Sequence, residues 1–154
     1  RDLHSFPTRR SSDLLAARGW AYARRSEQGP LRAETRVFLG DSMGELAAYY
    51  AAADLAYVGG SLLPLGGQNL IEAAAAGCPA LIGPHTWNFA EAADQAVDRG
   101  AARRVADAGE LAAAAASLVR DPIARQRMRE AGLQFAAANR GATQRIMGML
   151  ERRG

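Results

Sequence analysis

Three short apolar runs each stop at glycine and give way to a turn or an alanine-rich helical stretch: RVFLGD (36–41), LAYVGG (55–60) and PALIG (79–83). None of them alternates between apolar and polar residues. A strand with one wet face alternates, whereas a strand covered on both faces reads as a continuous apolar run. Strands of this kind, separated by helices, specify an α/β fold with a doubly wound parallel sheet. A further short strand is expected near Trp20 to Ala23 and a weaker one in AARRV (101–105).

The helices carry their own punctuation. Gly19, Gly77 and Gly100 each follow a helical pattern, where a residue with positive φ closes the last turn. Asp121 and Pro122 read as an N-cap followed by proline at the first helical position. Two helices are expected after it, DPIARQRMREAGLQFAAAN and GATQRIMGMLERR, with a break near Gly141, as a helical tail packed back on the domain. In SMGELAAYYAAAD, Met43, Leu46, Tyr50 and Ala53 fall at helical spacing.

Composition excludes several functions. The 154 residues suit one domain. All 19 basic residues are arginine, and the net charge of +3 is scattered along the chain. A nucleic-acid binder would gather such charge on one face, so no nucleic-acid partner is expected. Cys78 is the only cysteine, which rules out an intrachain disulfide and a cysteine-based zinc site. No apolar run approaches a membrane span, and the first residues lack a signal-peptide core. Residues 1–14, RDLHSFPTRRSSDL, differ in character from the rest and read as a translated sequencing adapter, a non-native segment. That segment, His4 included, is set aside for function.

In an open parallel sheet, ligands bind beyond the carboxyl ends of the strands. Gly40, Gly59, Gly60 and Gly83 cluster at those ends. In LLPLGGQNLIEAAAAGCP (62–79), Asn69 and Glu72 stand three apart at a helix start. That spacing suits a capping box, with Glu72 bonding back to the Asn69 amide. It also suits a helix start that receives a phosphate while the Glu72 carboxylate accepts from two ribose hydroxyls. GDSMGELAAYY offers the same pair of readings. Asp41 or Ser42 would cap the helix with Glu45 completing a box, or the Met43-Gly44-Glu45 turn would offer backbone groups to a base edge. His85 and Asn88 sit in a loop with no second histidine nearby, so neither a metal site nor a Ser-His-Asp arrangement is supported. With no lysine there is no GxxxxGK[ST] phosphate loop.

The stretch from about Val37 to Val105 resembles the C-terminal domain of the 3-deoxy-D-manno-octulosonic acid (Kdo) transferases. The resemblance extends more weakly to NRGATQRI (139–146). It rests on GDSMGE, YVGGS, GGQNLIE and GPHTWNF occurring in this order. It implies the Rossmann-like C-terminal half of a GT-B glycosyltransferase. Such an enzyme is inverting, needs no metal or other cofactor, and uses two facing Rossmann-like domains. The implied donor is CMP-Kdo. The implied acceptor is a lipid A precursor, lipid IVA, at the cytoplasmic face of the bacterial inner membrane, with the parent protein peripheral to that membrane. Carried over by motif, Met43, Gly44 and Glu45 fall on one CMP-binding segment, and Asn69, Leu70, Ile71 and Glu72 on the other. The family usually has histidine at Gln68 and proline at Leu70. Its Pro-Arg-His segment, whose arginine contacts the nucleotide, would lie where the adapter-like stretch stands. The acidic catalytic base belongs to the family's N-terminal domain, so no catalytic residue is assigned here. Residues 15–154 are then expected to be an incomplete CMP-sugar-binding domain, inactive alone. The rival readings are a GT-B transferase using a UDP-sugar and a non-catalytic nucleotide-binding module.

Overall fold

The computed structural model describes residues 6–151, with side chains from residue 11 to residue 140; His4 lies outside the described residues. The chain forms two compact units, Arg1–Leu46 and Ala47–Gly154.

The first unit opens with helix α1 (Phe6–Ala17), which begins well before the expected helical residues at Leu14. It ends where Gly19 predicts. Gly19 has φ +67°, its amide donates to Ala16 O, and the Trp20 amide donates to Leu15 O, a Schellman closure. Strand β1 (Tyr22–Arg24) pairs in parallel with β2 (Val37–Leu39), with Ala23 opposite Phe38. The first strand thus starts two residues later than expected, because Trp20 is taken by the helix closure. RVFLGD is not a buried strand in this unit. Phe38 is 42% exposed and Val37 and Leu39 are only half-buried, so neither face of this strand is fully covered. A 3-10 turn, Arg25–Glu27, follows β1.

Helix α2 (Leu46–Ala52) leads into the second unit, whose sheet has the order β3-β4-β5, all parallel. Its strands are β3 (Ala56–Tyr57), β4 (Ala80–Ile82) and β5 (Ala102–Arg104). Between and after them come α3 (Ile71–Ala75), α4 (Ala90–Asp98), α5 (Ala108–Arg120) and α6 (Pro122–Glu151). β4 shows why the apolar runs do not alternate. Ala80 and Ile82 join a cluster with Ala73, Ala93 and Phe135, whereas Leu81 joins another with Val105, Ala114 and Leu118. Successive side chains of a strand point to opposite faces, so α3, α4 and α6 supply one cover, and α5 with the start of α6 the other, the doubly wound arrangement.

Gly77 and Gly100 close α3 and α4 as Gly19 closes α1, with φ of +68° and +72° and paired amide donations back into the last turn. Asp107 caps α5 by accepting from the Glu110 amide, and Asp121 caps α6 by accepting from the Ala124 amide. The expected break near Gly141 is absent: α6 runs without interruption to Glu151. Glycine lowers helix propensity without forbidding a helix. Met43 falls outside α2, while Tyr50 and Ala53 do pack on the core, so only part of that helical spacing is used.

Helix α6 braces α3. A Cβ on Gly132 would stand 3.5 Å from the backbone of Ala74, so the two helices meet nearly backbone to backbone. Phe135, one turn on, is fully buried in the same cluster. Most of the fully buried residues of that cluster are alanines, and Phe135 is the one aromatic ring fully buried among them. Phe135→Ala should therefore lower the unfolding free energy by about 3–5 kcal/mol, read as a lower urea midpoint with unchanged slope.

Candidate nucleotide-binding site

The second unit presents two loops at the carboxyl end of its sheet, one after β3 (58–70) and one after β4 (83–89). They are stitched together by hydrogen bonds. Buried Ser61 donates its hydroxyl to Val58 O and accepts from the Gly83 amide at 2.9 Å. The His85 amide donates to Ser61 O at 2.9 Å, and the Asn88 amide to Gly66 O at 3.1 Å. The Asn88 side chain donates to Gly67 O and Leu65 O. The approach is close enough to dictate residue type. A Cβ on Gly83 would stand 2.2 Å from Ser61 O, and one on Gly66 would strike the Asn88 and Trp87 side chains. Gly66 and Gly67 also have φ of +86° and +74°, a region costly to other residues.

From β5, Arg104 reaches the second loop. It donates to Gly83 O at 3.1 Å and Thr86 Oγ1 at 3.0 Å, and pairs with Asp94 at 2.7 Å. Asn88 therefore scaffolds the loop, and His85 rests its ring edge-on against Trp87 at 5.7 Å. Among the described residues, no three His, Cys, Asp or Glu side chains gather as metal ligands would.

The stitched loop delivers Asn69, Leu70, Ile71 and Glu72 to the start of α3. The capping box takes a different form from the one its spacing suggests. Leu70, not Asn69, is the N-cap, and it has helical dihedrals. Asn69 Oδ1 accepts from the Ile71 amide at 3.0 Å, while Asn69 Nδ2 donates to Glu72 Oε1 at 3.0 Å. Glu72 is thus tied to the Asn69 side chain instead of its amide. An Asn-Leu step in αR suits an Asx turn, which satisfies the amide two residues on. Leu70 is 1% exposed and Ile71 packs on the core, so those two can offer a ligand only backbone. Asn69 is half-buried and Glu72 exposed. The amides of Asn69 and Leu70 are given to no protein acceptor among the described residues. Exposed Gln68 spends its amide on Gly59 O at 3.1 Å.

The other segment belongs to the first unit. Gly44 has φ +79° and Met43 is 86% exposed, so 42–44 form an open turn before α2. Neither Asp41 nor Ser42 caps α2 as expected, because the helix starts at Leu46, too far along for either. Their side chains are used within the turn. Ser42 donates its hydroxyl to the Glu45 carboxylate. Arg25 grips both oxygens of Glu45, with Nε at 3.0 and 3.2 Å and Nη2 at 2.8 Å. Ser26 gives its amide (2.8 Å) and hydroxyl (2.6 Å) to the two oxygens of Asp41. Those bonds hold the Asp41 carboxyl below its ordinary pKa. A cavity of about 530 Å³ opens beside β1, lined by Tyr22, Arg24, Glu27, Arg32 and Glu34 among others, and includes none of the expected site residues.

Arg25, Ser26, Ser61 and Arg104 escaped the sequence reading. Each acts through a partner 10 to 22 positions away. Ser61 alone left a trace, as the polar residue directly behind two glycines.

Comparison with known proteins fits this geometry. The family model for glycosyl transferases group 1 matches residues 22–135, and the chain belongs to that family. Within it, the chain is a homologue of the 3-deoxy-D-manno-octulosonic acid transferases. The Bordetella pertussis enzyme of that name is 52% identical over 141 residues, 89% of this chain and 32% of the relative. The Haemophilus influenzae enzyme is 38% identical over 141 residues, 91% of this chain and 33% of the relative. The chain thus spans about a third of the length of the curated relatives it matches. The crystal structure of the C-terminal CMP-Kdo binding domain of WaaA from Acinetobacter baumannii superposes with a TM-score of 0.76 at 30% identity, covering 80% of this chain and 65% of that one.

Two outcomes are expected from this geometry. Ser61→Ala should cost about 1–3 kcal/mol by leaving the buried Gly83 amide without an acceptor, measured by denaturant titration. Asp41, with its lowered folded pKa, stabilises its turn fully above the unfolded value of roughly 4 and loses that contribution as pH falls through the folded value. Asp41→Asn should therefore remove an acid-side step in the exchange of the Ser26 amide.

Proposed function

We propose that this chain is the donor-nucleotide part of an inverting Kdo transferase, which moves Kdo from CMP-Kdo to a lipid A precursor such as lipid IVA. The observation that carries the reading is the 30% identity and 0.76 TM-score shared with a CMP-Kdo binding domain over 80% of this chain. In this reading, the turn at Met43, Gly44 and Glu45 offers its backbone to the base. Asn69, Leu70, Ile71 and Glu72 serve the ribose and phosphate: amides at 69 and 70 for the phosphate, the exposed Glu72 carboxylate for the ribose diol. A carboxylate has lone pairs enough to hold the Asn69 side chain and accept from hydroxyls as well.

Helix α3 is only five residues long, so its dipole adds little, and the anion is bound chiefly by individual amides. The acceptor, the acidic base that activates its hydroxyl, and the site at the cytoplasmic face of the inner membrane belong to the parent protein. The described residues include no helix long and apolar enough to cross a membrane. Residues 1–14 are proposed as non-native, and residues 15–154 as the incomplete nucleotide domain.

Calorimetric titration of the 154-residue chain should show CMP binding more tightly than UDP, and Glu72→Gln should weaken CMP roughly tenfold. Tighter binding of UDP would favour a UDP-sugar transferase. Kdo transfer by the chain alone would refute its role as only the donor half.

A further inference from the structure

Two neighbouring side chains of the turn after β1 each take hold of one carboxylate, and those carboxylates bracket the exposed turn at 42–44. Arg25 holds Glu45 through both oxygens, and Ser26 holds Asp41 through both oxygens. Between them Met43 stands 86% exposed, and Gly44, at φ +79°, has nothing within 4 Å of where a Cβ would be. The bracketed turn therefore owes little of its shape to packing. It is fixed at its two ends by two pairs that are both two-pronged, with the Ser42 hydroxyl bonded to Glu45 between them.

We infer that Arg25 and Ser26 are positioning residues. Together they hold the 41–45 turn in the form that presents its backbone to a nucleobase, without touching the ligand. The inference rests on the nucleotide reading above. Glu45 is then an anchor for the turn, and what a ligand meets at 43–45 is main chain. The chemistry supports this division. A carboxylate held by a guanidinium fork and also by the Ser42 hydroxyl has most of its acceptor capacity committed within the protein, whereas an open turn leaves amides and carbonyls to read a donor-acceptor edge. A lysine at position 25 keeps the charge and loses the fork.

The test uses the 154-residue chain and three probes: cytidine 5′-monophosphate, uridine 5′-monophosphate and ribose 5-phosphate. Cytosine and uracil differ at the edge the turn would read, and ribose 5-phosphate lacks a base. Arg25→Gln should speed amide exchange at 42–45 roughly fivefold or more while leaving 69–72 unchanged. It should lower the preference for the cytidine over the uridine nucleotide roughly fivefold or more and leave ribose 5-phosphate binding unchanged. Arg25→Lys and Ser26→Ala should give smaller shifts in the same direction, and they serve where Arg25→Gln fails to fold. Arg25→Gln and Glu45→Gln combined should change exchange no more than either alone.

Unchanged exchange and unchanged preference in Arg25→Gln would overturn the inference. So would an equal loss for all three probes, which would place the guanidinium on the phosphate or make it merely structural. If the unaltered chain ignores every probe, the nucleotide reading falls and the base-presenting role falls with it. Exchange at 42–45 then still decides whether the clasp itself exists.

Discussion

The contact on which the second unit depends is the meeting of Ser61 with Gly83. One buried hydroxyl takes the amide at the end of β4 and gives its proton to the carbonyl at the end of β3. With no Cβ on Gly83, the two loops can lie against each other, and the amides of His85 and Asn88 complete the joint. Every residue of the 69–72 segment hangs from that joint. The backbone polar groups of two buried loop roots would otherwise lack partners, and an unpartnered buried amide costs about 1–3 kcal/mol. Motif glycines that look like turn-makers are here the condition for close packing of one loop on another.

Elements governed by local rules were legible in the chain. Gly19, Gly77 and Gly100 stop their helices by the same two-amide closure, and Asp121-Pro122 starts α6 as the spacing demands. The non-alternating run around β4 announced a strand with two covered faces, and Leu81 lies opposite Ile82 and Ala80. What local rules could not reach was tertiary. Asn69 chose an Asx turn over a reciprocal box, because Leu70 is drawn into the core and takes the cap position in αR. Ser42 faces Glu45 from outside the helix, so their three-residue spacing produced a hydrogen bond of a different kind.

The candidate site residues were named by motif, and physical spacing alone did not single them out. Spacing alone could not separate a cap from a ribose contact at Glu72, and in the structure that carboxylate makes no backbone cap but accepts from the Asn69 side chain. Two arginines, one in each unit, each fix a loop or turn. Arg104 fixes the loop after β4 through two oxygen acceptors and an aspartate, and Arg25 fixes Glu45. In a chain without lysine, both tasks fall to a planar fork, which suits them because it specifies direction as well as charge.

The near-contact of Gly132 with Ala74, in a core otherwise built largely of alanine, has an evolutionary consequence. Where helices meet main chain to main chain, there is little side-chain slack at the contact to absorb a larger residue. Drift at such positions is confined to glycine, alanine and serine. A descendant of this chain is free to alter its loop tips while its interior spacing stays fixed, so the distance between α3 and α6 should be among the slowest-changing dimensions of the lineage.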